Sequence, residues 1–157
     1  NISSFERLNT LLLPIPYPRT FYKETLSDPI SNHLTLLALW HDSPSSVASA
    51  SGKVIAAIRC RILPSSSASP DDKILYISTL GVLSPFRSYG IATHLLGIMI
   101  ERGIRDHGVS AVGAHVWEAG KEAREWYAKR GFKETRLEEG YYRRLTPRGA
   151  YVLRREV

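Results

Sequence analysis

A tyrosine and a histidine lie on two predicted strands that follow each other closely in the chain. Tyr76 belongs to the apolar run Ile74–Val82, and His115 lies near the end of Ala111–Val116. Side chains alternate across a sheet, so residues on neighbouring strands can share one face. Free histidine titrates near pH ~6.5 and can accept a proton, directly or through water. The pair could act as a general base, although a lone strand histidine or tyrosine is more often structural.

The segment after the first of these strands has the residue types of a phosphate-binding turn. Arg87, Gly90 and Ala92 form an R-x-x-G-x-A pattern at the start of the amphipathic run Gly90–Arg102. Glycine lets the backbone approach a ligand, and the N–H groups and dipole of a helix start attract phosphate. The pattern alone is weak, because glycine before a helix is common. It is neither a dinucleotide fingerprint nor a P-loop.

A stiff apolar loop lies near the amino terminus. Residues Leu13–Pro18 include three prolines, which exclude both a helix and a central strand. Such a loop is either a packed connection or a preformed wall of a binding pocket, since a rigid loop loses little entropy on binding.

Caps, apolar runs and turn residues predict the remaining elements. A capping box with Ser3 as N-cap predicts a helix to about Leu12. The other predicted elements are helices at Thr20–Leu26 and Lys121–Arg130 and strands at Leu34–Trp40, Val54–Ile62, Lys133–Leu137 and Ala150–Arg154. The Ser-rich stretches Asp42–Gly52 and Pro64–Asp72 are expected to be mobile and without chemistry. This alternation predicts an α/β fold with a mixed sheet, in a single domain of residues 1–157.

Composition limits the class of protein. The chain has 157 residues, of which 43% are hydrophobic and 23% charged, as in soluble globular proteins. No apolar run reaches the ~18 residues of a membrane span, and no secretory signal is apparent. The single cysteine, Cys60, excludes an internal disulfide and a cysteine-based zinc cluster, and we predict no metal site. We expect Cys60 to be a buried strand residue and not a nucleophile.

Positive charge concentrates towards the carboxyl terminus. From Lys121 onward there are 11 Lys/Arg against 6 Asp/Glu, a surplus of 5 within a net charge of +6. A basic segment can face nucleic acid, an acidic partner or a polyanionic cofactor, or only solvent. We expect no direct nucleic-acid binding, because the aromatic residues occupy core or pocket positions instead of forming a stacking stripe.

The chain resembles the GNAT acyltransferases through two motifs in the family's order. The Q/R-x-x-G-x-G/A motif is met by Arg87-Ser88-Tyr89-Gly90-Ile91-Ala92, and Y-x-x-x-G-F is met by the segment from Tyr127 to Phe132. The resemblance implies the GNAT fold, with a mixed, mostly antiparallel central sheet that is splayed at the acetyl-CoA site and flanked by about four helices. We expect the family's first strand to be missing or truncated here.

The same resemblance implies acetyl-CoA as the cofactor and indicates the residues that bind it. In the family, the central strand offers backbone N–H groups to the pantetheine and to the developing oxyanion, and the later tyrosine contacts the sulfur and can protonate the leaving thiolate. The implied cofactor-binding residues are Leu80, Gly81, Val82, Arg87, Ser88, Tyr89, Gly90, Ile91, Ala92, Thr93, Gly120 and Tyr127. Tyr127 could equally serve to pack its helix on the sheet.

A closer likeness is to the NatE (San-type) N-terminal acetyltransferases. It rests on four segments: Leu75–Gly81, His115-Val116, Tyr141–Arg144 and the L-P-I-P-Y loop that begins at Leu13. That family acetylates the α-amine of proteins that begin with Met followed by an apolar residue. The transfer is direct, without an acyl-enzyme, and a Tyr–His pair acts through water. The resemblance assigns this catalytic pair to Tyr76 and His115.

The resemblance also assigns the substrate-binding residues. These are Leu13, Pro14, Ile15 and Tyr17 at the Met pocket, and Ser78, Tyr141 and Tyr142 over the peptide backbone. Two apolar or aromatic loops beside a strand end would make a slot for an extended peptide. Three positions depart from the family pattern: Leu13 replaces a phenylalanine, Gly120 an asparagine and Ser88 a basic residue.

The implied partners are protein N-terminal peptides beginning with Met, the NatA complex and the ribosome. No membrane partner is implied, and the implied location is the cytoplasm, with the nucleus as a second compartment. Three alternatives stay open: a GNAT enzyme acting on lysine or a small amine, a non-catalytic GNAT-like docking subunit, and a nucleic-acid binder. A tyrosine-rich loop at Gly140–Arg144 would hinder side-on access of a lysine. The loop therefore favours the interpretation as an N-terminal acetyltransferase.

Overall fold

The computed structural model describes residues 1–48, 52–65, 69 and 71–157. Its helices are α1 (Ile2–Leu12), α2 (Arg19–Ser27), α3 (Pro29–His33), α4 (Ile91–His107) and α5 (Lys121–Ala128). Its strands are β1 (Thr35–Trp40), β2 (Lys53–Pro64), β3 (Lys73–Val82), β4 (Ala111–Trp117), β5 (Lys133–Glu138) and β6 (Ala150–Glu156). Among the described residues, no helix is long and apolar enough to cross a membrane.

The six strands form one sheet in the order β1-β2-β3-β4-β6-β5. Strands β1 and β2, β4 and β6, and β5 and β6 pair antiparallel, whereas β3 and β4 pair parallel. The predicted mixed sheet is therefore confirmed. The register between β3 and β4 covers three residue pairs, from Ile74 with Ala111 to Tyr76 with Gly113. The predicted splay beyond these pairs stays a prediction.

The chain groups into two compact units. One comprises Asn1–Cys60 and Ser78–Met99, and the other comprises Arg61–Ile77 and Ile100–Val157. The boundaries fall inside β2, β3 and α4. The single domain predicted from the sequence stays a prediction.

The core of the first unit is built where α1 and α2 pack on β2. Phe5 and Leu8 of α1, Tyr22 of α2, and Val54 and Ala57 of β2 form one buried cluster. The Phe5 and Tyr22 rings meet edge to face at 5.3 Å. Full burial of each large apolar side chain contributes about 1.5–3 kcal/mol. This cluster fixes both helices that flank the proline-rich loop.

The core of the second unit lies around β4, which is buried over most of its length. Val112 of β4, Leu153 of β6 and Leu75 of β3 are fully or almost fully buried. A Cβ at Gly103 of α4 would lie 3.0 Å from Val109 and 3.3 Å from Leu75. Because glycine has no side chain, α4 can approach β3 closely at this position.

Strand β5 is the last strand of the sheet and pairs only with β6 in the strand order. Its residues from Lys133 to Leu137 are exposed, and Glu138 is half-buried. Most of its side chains are charged, with Lys133, Glu134, Arg136 and Glu138 among six residues. Hydrophobic burial therefore contributes little to β5, and its pairing with β6 holds it in place.

Three helix predictions need correction. The predicted N-cap at Ser3 is wrong: the cap position is Asn1, whose Oδ1 accepts a hydrogen bond from the Ser4 hydroxyl. Helix α2 ends at Ser27, as the Ser27-Asp28-Pro29 sequence predicts, but Asp28 and Pro29 also begin α3, which was not predicted, and the Asp28 side chain accepts from the Ser31 N–H at 2.7 Å. With this extra helix, the described part of the chain contains five α-helices, where about four were expected. Helix α4 also continues past Arg102 to His107.

The two Ser-rich connections are described only in part. Strands β1 and β2 pair antiparallel, with Trp40 opposite Lys53, so they form a hairpin. Residues 49–51, 66–68 and 70 lie outside the described residues. The expectation that these stretches are mobile therefore stays a prediction.

Candidate active site

Tyr76 and His115 are in direct contact, as their strand positions predict. The Tyr76 Oη and the His115 Nδ1 are 2.9 Å apart, which is a hydrogen-bond distance. The two rings meet at a steep angle, with centroids 5.7 Å apart. Both residues are partly buried, and 18% of the His115 side chain is exposed. The pair is therefore sheltered while one edge stays open to a reactant.

The register of the parallel strands explains this contact. Tyr76 of β3 lies opposite Gly113 of β4, and His115 follows two residues later on the same face. Because Gly113 has no side chain, nothing at the paired position separates the tyrosine from the histidine. The contact requires parallel pairing in this one register, because a shift by one residue would turn His115 to the other face.

Glu138 contacts the other nitrogen of the histidine, which the sequence analysis did not anticipate. The Glu138 Oε2 is 3.2 Å from the His115 Nε2, and the Glu138 Oε1 accepts from the Arg136 Nη2 at 2.8 Å. The pKa of the Glu138 carboxyl is lowered, first by the hydrogen bond from Arg136. Burial acts in the opposite direction as the second-largest cause, and the interactions with His115 lower the pKa further. The carboxylate is therefore ionised at neutral pH.

Tyr141 covers the histidine from the loop between β5 and β6. Its ring stacks on the His115 ring with centroids 4.2 Å apart and 9° between the planes. Its hydroxyl is 3.5 Å from the Tyr76 hydroxyl. Tyr142 packs edge to face on Tyr141 at 4.9 Å. The structure thus brings Tyr76, His115 and Tyr141 together, whereas the sequence analysis gave Tyr141 a role towards the peptide only.

The loop that carries these tyrosines, residues 139–149 (the tyrosine loop), is fixed at its carboxyl-terminal end. Glu118 accepts from the Gly149 N–H at 2.8 Å, and its own N–H donates to the Gly149 carbonyl at 3.0 Å. The Trp117 Nε1–H donates to the Pro147 carbonyl at 2.7 Å. A Cβ at Gly149 would lie 2.6 Å from the Glu118 Oε1, so only glycine preserves this contact. These bonds restrain the loop that holds Tyr141.

The predicted phosphate turn, residues 87–93, has the backbone of an anion site. Ser88 and Gly90 have positive φ angles of 67° and 80°. Alternation of such residues with ordinary ones turns successive N–H groups to one side, and α4 begins immediately afterwards at Ile91. A Cβ at Gly90 would meet nothing within 4 Å, so there is open space over the turn. Arg87 is exposed, and its Nε donates to the Val82 carbonyl at 3.0 Å.

The other predicted cofactor residues are placed as follows. Gly81 of β3 faces α1: a Cβ there would be 2.9 Å from the Leu12 Cδ1. Gly120 is the N-cap of α5 and makes no side-chain cap, as expected for a glycine. Tyr127 is 8% exposed and packs edge to face on Phe132 at 5.0 Å. The packing role considered for Tyr127 is therefore present, and its cofactor role stays a prediction.

The predicted substrate loop, residues 13–18, is held through contacts of Tyr17. Tyr17 donates a hydrogen bond from its hydroxyl to the Ser78 carbonyl at 2.8 Å, and its ring packs on Phe21 with centroids 4.3 Å apart and 31° between the planes. Tyr17 and Phe21 also line an open cleft of about 510 Å³ along α2. Leu13 and Ile15 are half-buried and do not line that cleft.

Cys60 is fully buried, and burial raises the pKa of its thiol far above the usual range. The prediction of a buried strand residue is confirmed. Within the described parts of the chain, no group of three or more His, Cys, Asp or Glu residues could hold a metal ion.

Comparison with known proteins gives the family. The model of the Acetyltransferase (GNAT) family matches residues 6–132. N-alpha-acetyltransferase 50 of Danio rerio is 31% identical over 157 residues, which are 100% of this chain and 83% of that protein. The probable N-acetyltransferase san of Drosophila melanogaster is 32% identical over 155 residues, covering 99% and 75% of the two chains.

Solved structures agree with the sequence relatives. Arabidopsis thaliana Naa50 in complex with the bisubstrate analogue CoA-Ac-MVNAL superposes with a TM-score of 0.78 at 28% identity, covering 100% of this chain and 93% of that one. A chain of the NatC complex bound to Gag peptide and CoA reaches a TM-score of 0.82 at 24% identity, covering 99% and 90%. At this lower identity the likeness concerns the fold alone. The predicted fold is thereby confirmed.

Proposed function

Because the chain belongs to the GNAT acetyltransferase family, we propose that it transfers an acetyl group from acetyl-CoA to the α-amine of proteins beginning with Met followed by an apolar residue. The observation that carries this proposal is the hydrogen bond between Tyr76 and His115. This pair gives the chain a proton acceptor, which an amine substrate needs. The chain is also 31% identical to an N-alpha-acetyltransferase.

The residues of the phosphate turn fit the cofactor that the family uses. The positive φ angles at Ser88 and Gly90, the start of α4 and the open space over Gly90 suit a pyrophosphate group. Arg87, anchored through its Nε, keeps its terminal nitrogens for a phosphate oxygen. Acetyl-CoA supplies the acetyl group as a thioester, which an uncharged amine attacks.

The Tyr76–His115 pair serves to remove a proton from the amine. An α-amino group titrates near pH 7.7–8.0, so its neutral form costs about 1.4 kcal/mol at pH 7, whereas a lysine costs about 4.6. A tyrosine and a histidine joined by one hydrogen bond form a base of moderate strength, which suffices for an α-amine. We assign Tyr76 and His115 this role, with the proton passing directly or through water.

Two features support a peptide N-terminus as the acceptor. The Tyr141 ring is stacked on His115, a member of the proposed catalytic pair. Rigid aromatic residues lose little entropy when they bind an extended chain. The peptide of the analogue bound to the Arabidopsis relative begins with Met-Val, a methionine followed by an apolar residue. We propose the same preference here, with Leu13, Ile15 and Tyr142 also facing the peptide.

Direct transfer without an acyl-enzyme completes the proposal. Cys60, the sole cysteine, is fully buried, and burial raises the pKa of its thiol, so no thiolate is present near neutral pH. We expect Cys60→Ala to retain activity. Loss of activity in a folded Cys60→Ala variant would instead indicate a covalent route.

Mass spectrometry tests the proposed function. The protein is incubated with acetyl-CoA and a peptide that begins with Met-Leu and contains one internal lysine. The matched control is the same peptide with its α-amine already blocked. We expect one acetyl group, on the α-amine, and none on the control peptide. Acetyl on the lysine, or on neither position, would contradict the proposal.

Partners and location remain proposals that rest on the resemblance. We propose assembly with the NatA complex at the ribosome, and a location in the cytoplasm with the nucleus as a second compartment. The surplus of positive charge from Lys121 onward would favour an acidic protein surface in this assembly. Co-sedimentation of the protein with ribosomes at low and high salt would test this, since binding through charge weakens as salt increases.

A further inference from the structure

Glu138 contacts His115 at the ring nitrogen opposite to the one that Tyr76 contacts. Its Oε2 lies 3.2 Å from the His115 Nε2, while Tyr76 lies 2.9 Å from the Nδ1. The three side chains therefore form a continuous chain of hydrogen bonds. Neither the charge of Glu138 nor its position enters the function proposed above.

The order of the strands creates this contact. Glu138 of β5 and His115 of β4 are separated by β6, and neighbouring strands lie about 4.8 Å apart. His115 is opposite Val152 of β6, and Val152 is opposite Arg136 of β5. Glu138, two residues after Arg136, lies on the same face and opposite the small Ala150. The long glutamate side chain can thus cross β6 to reach the imidazole.

The chemistry of the carboxylate fixes the direction of each hydrogen bond. An ionised carboxylate has no proton to donate, so the His115 Nε2 must carry the hydrogen that joins it to Glu138. In a neutral imidazole the other nitrogen is then an acceptor, so the Tyr76 hydroxyl must donate to the Nδ1. The pKa of the Glu138 carboxyl is lowered mainly by Arg136, which keeps it ionised.

We propose that Glu138 is a positioning residue that holds the His115 ring proton on Nε2 and so makes Nδ1 the atom that accepts the Tyr76 proton. This inference rests on the proposed function for its catalytic meaning. When Tyr76 passes its proton to the Nδ1, it takes a proton in turn from the amine or an intervening water. The imidazolium that results carries one positive charge beside the Glu138 carboxylate. Stacked Tyr141 keeps the ring in this plane.

Two variants separate this role from a merely structural one. Glu138→Ala removes the acceptor. Glu138→Gln keeps the size of the side chain, but its amide has only one oxygen. That oxygen should accept from Arg136, whose Nη2 lies 2.8 Å from the Glu138 Oε1, because a charged guanidinium is a stronger donor than a neutral imidazole. The amide NH₂ then faces the His115 Nε2 and favours the opposite tautomer. Glu139→Ala changes the exposed neighbouring glutamate and serves as the control.

Nitrogen NMR of the full chain labelled in histidine gives the first readout. The His115 resonances are assigned by their loss in His115→Ala. We expect the wild type and Glu139→Ala to show the tautomer protonated at Nε2, and both Glu138 variants to show a mixture or the opposite tautomer. An unchanged tautomer in Glu138→Ala would overturn the inference.

Steady-state kinetics gives the second readout. Both Glu138 variants should lower kcat about tenfold to a hundredfold, while KM for acetyl-CoA changes less than about twofold. Wild-type kcat in Glu138→Gln would also overturn the inference, since shape alone would then suffice. If the wild type acetylates no peptide, the proposed function fails, and the NMR result still decides whether Glu138 sets the tautomer.

Discussion

The Tyr17 hydroxyl donates a hydrogen bond to the main-chain carbonyl of Ser78, over a distance of 2.8 Å. This bond joins the end of the proline-rich loop to the central strand, across 61 positions of the sequence. The Tyr17 ring also packs at a tilt on Phe21, at the start of α2. The loop is therefore held by one polar and one aromatic contact, and its prolines limit the conformations it could adopt instead.

Removing that hydroxyl should loosen the loop without unfolding the protein. Tyr17→Phe leaves the Ser78 carbonyl without this donor and should lower the free energy of unfolding by about 1 kcal/mol. We expect KM for the peptide to rise several-fold and KM for acetyl-CoA to stay unchanged, measured by steady-state kinetics. Tyr151→Phe, which removes a hydroxyl on β6, is the control. Equal peptide KM values in the two variants would show that Tyr17 does not order a substrate site.

Loss of either member of the hydrogen-bonded pair should abolish proton removal. Tyr76→Phe and His115→Ala should each reduce kcat about 10²- to 10⁴-fold, the usual contribution of general acid–base catalysis. Binding of acetyl-CoA, measured by calorimetry, should be nearly unchanged. His33→Ala, a histidine at the end of α3, provides the control. Near-normal turnover in both variants would refute the catalytic assignment.

A fully buried arginine should stabilise the first unit. Arg59 of β2 has no exposed surface, donates to the Glu24 carboxylate at 2.8 Å and to the Phe21 carbonyl, and lies 3.8 Å over the Phe21 ring. Arg59→Ala would leave a cavity and unpaired groups, which should cost about 3 kcal/mol and lower Tm by roughly 6–12 °C. Arg61→Ala, on the exposed end of β2, should stay within about 0.5 kcal/mol. Thermal unfolding that shows equal Tm values for both variants would contradict this.

The cap of α3 should make stability depend on pH. The hydrogen bonds from Ser31, the side-chain contact first, lower the pKa of Asp28 below its ordinary value. The folded chain therefore holds this carboxylate ionised more readily than the unfolded chain does. Its stabilising effect is present above the unfolded pKa and disappears as the pH falls through the lower folded value.

Thermal unfolding of Asp28→Ala tests this dependence. The variant should have a lower Tm than the wild type near pH ~7, and the difference should shrink as the pH falls below the usual range of aspartate, about 3.9. Asp28→Asn, which keeps an acceptor for Ser31 but cannot titrate, is the control and should show a smaller change of Tm with pH. A constant difference between the wild type and Asp28→Ala would contradict the assignment.

Local patterns in the sequence predicted the elements near the site well. Apolar runs located β1 to β4, and alternation of side chains predicted that Tyr76 and His115 could share a face. The helix α3 was missed because Asp28-Pro29 was interpreted as a stop signal. The same two residues are equally good as an N-cap followed by proline at the first helical position, and this reading would have found the helix.

The contact of Glu138 with His115 could not be predicted in the same way. It depends on β6 lying between β4 and β5 and on a register that includes a bulge between Glu134 and Arg136. The side-chain pattern within one strand indicates neither the order of the strands nor the register between them. Burial of Arg59 was likewise hidden, because an arginine in a strand is usually exposed and its partners on α2 lie 35 to 38 positions away.

The charges along β5 have a consequence for how molecules of this protein behave in a crowded solution. An outer strand offers unpaired backbone groups to any extended chain, and a second copy could add to it. On β5, lysine, glutamate and arginine side chains follow each other at Lys133, Glu134 and Arg136. A second strand that paired with β5 would remove water from these charges. This cost disfavours edge-to-edge association of two copies. The glutamate that we assign to the histidine thus lies on a strand that also protects the protein against aggregation.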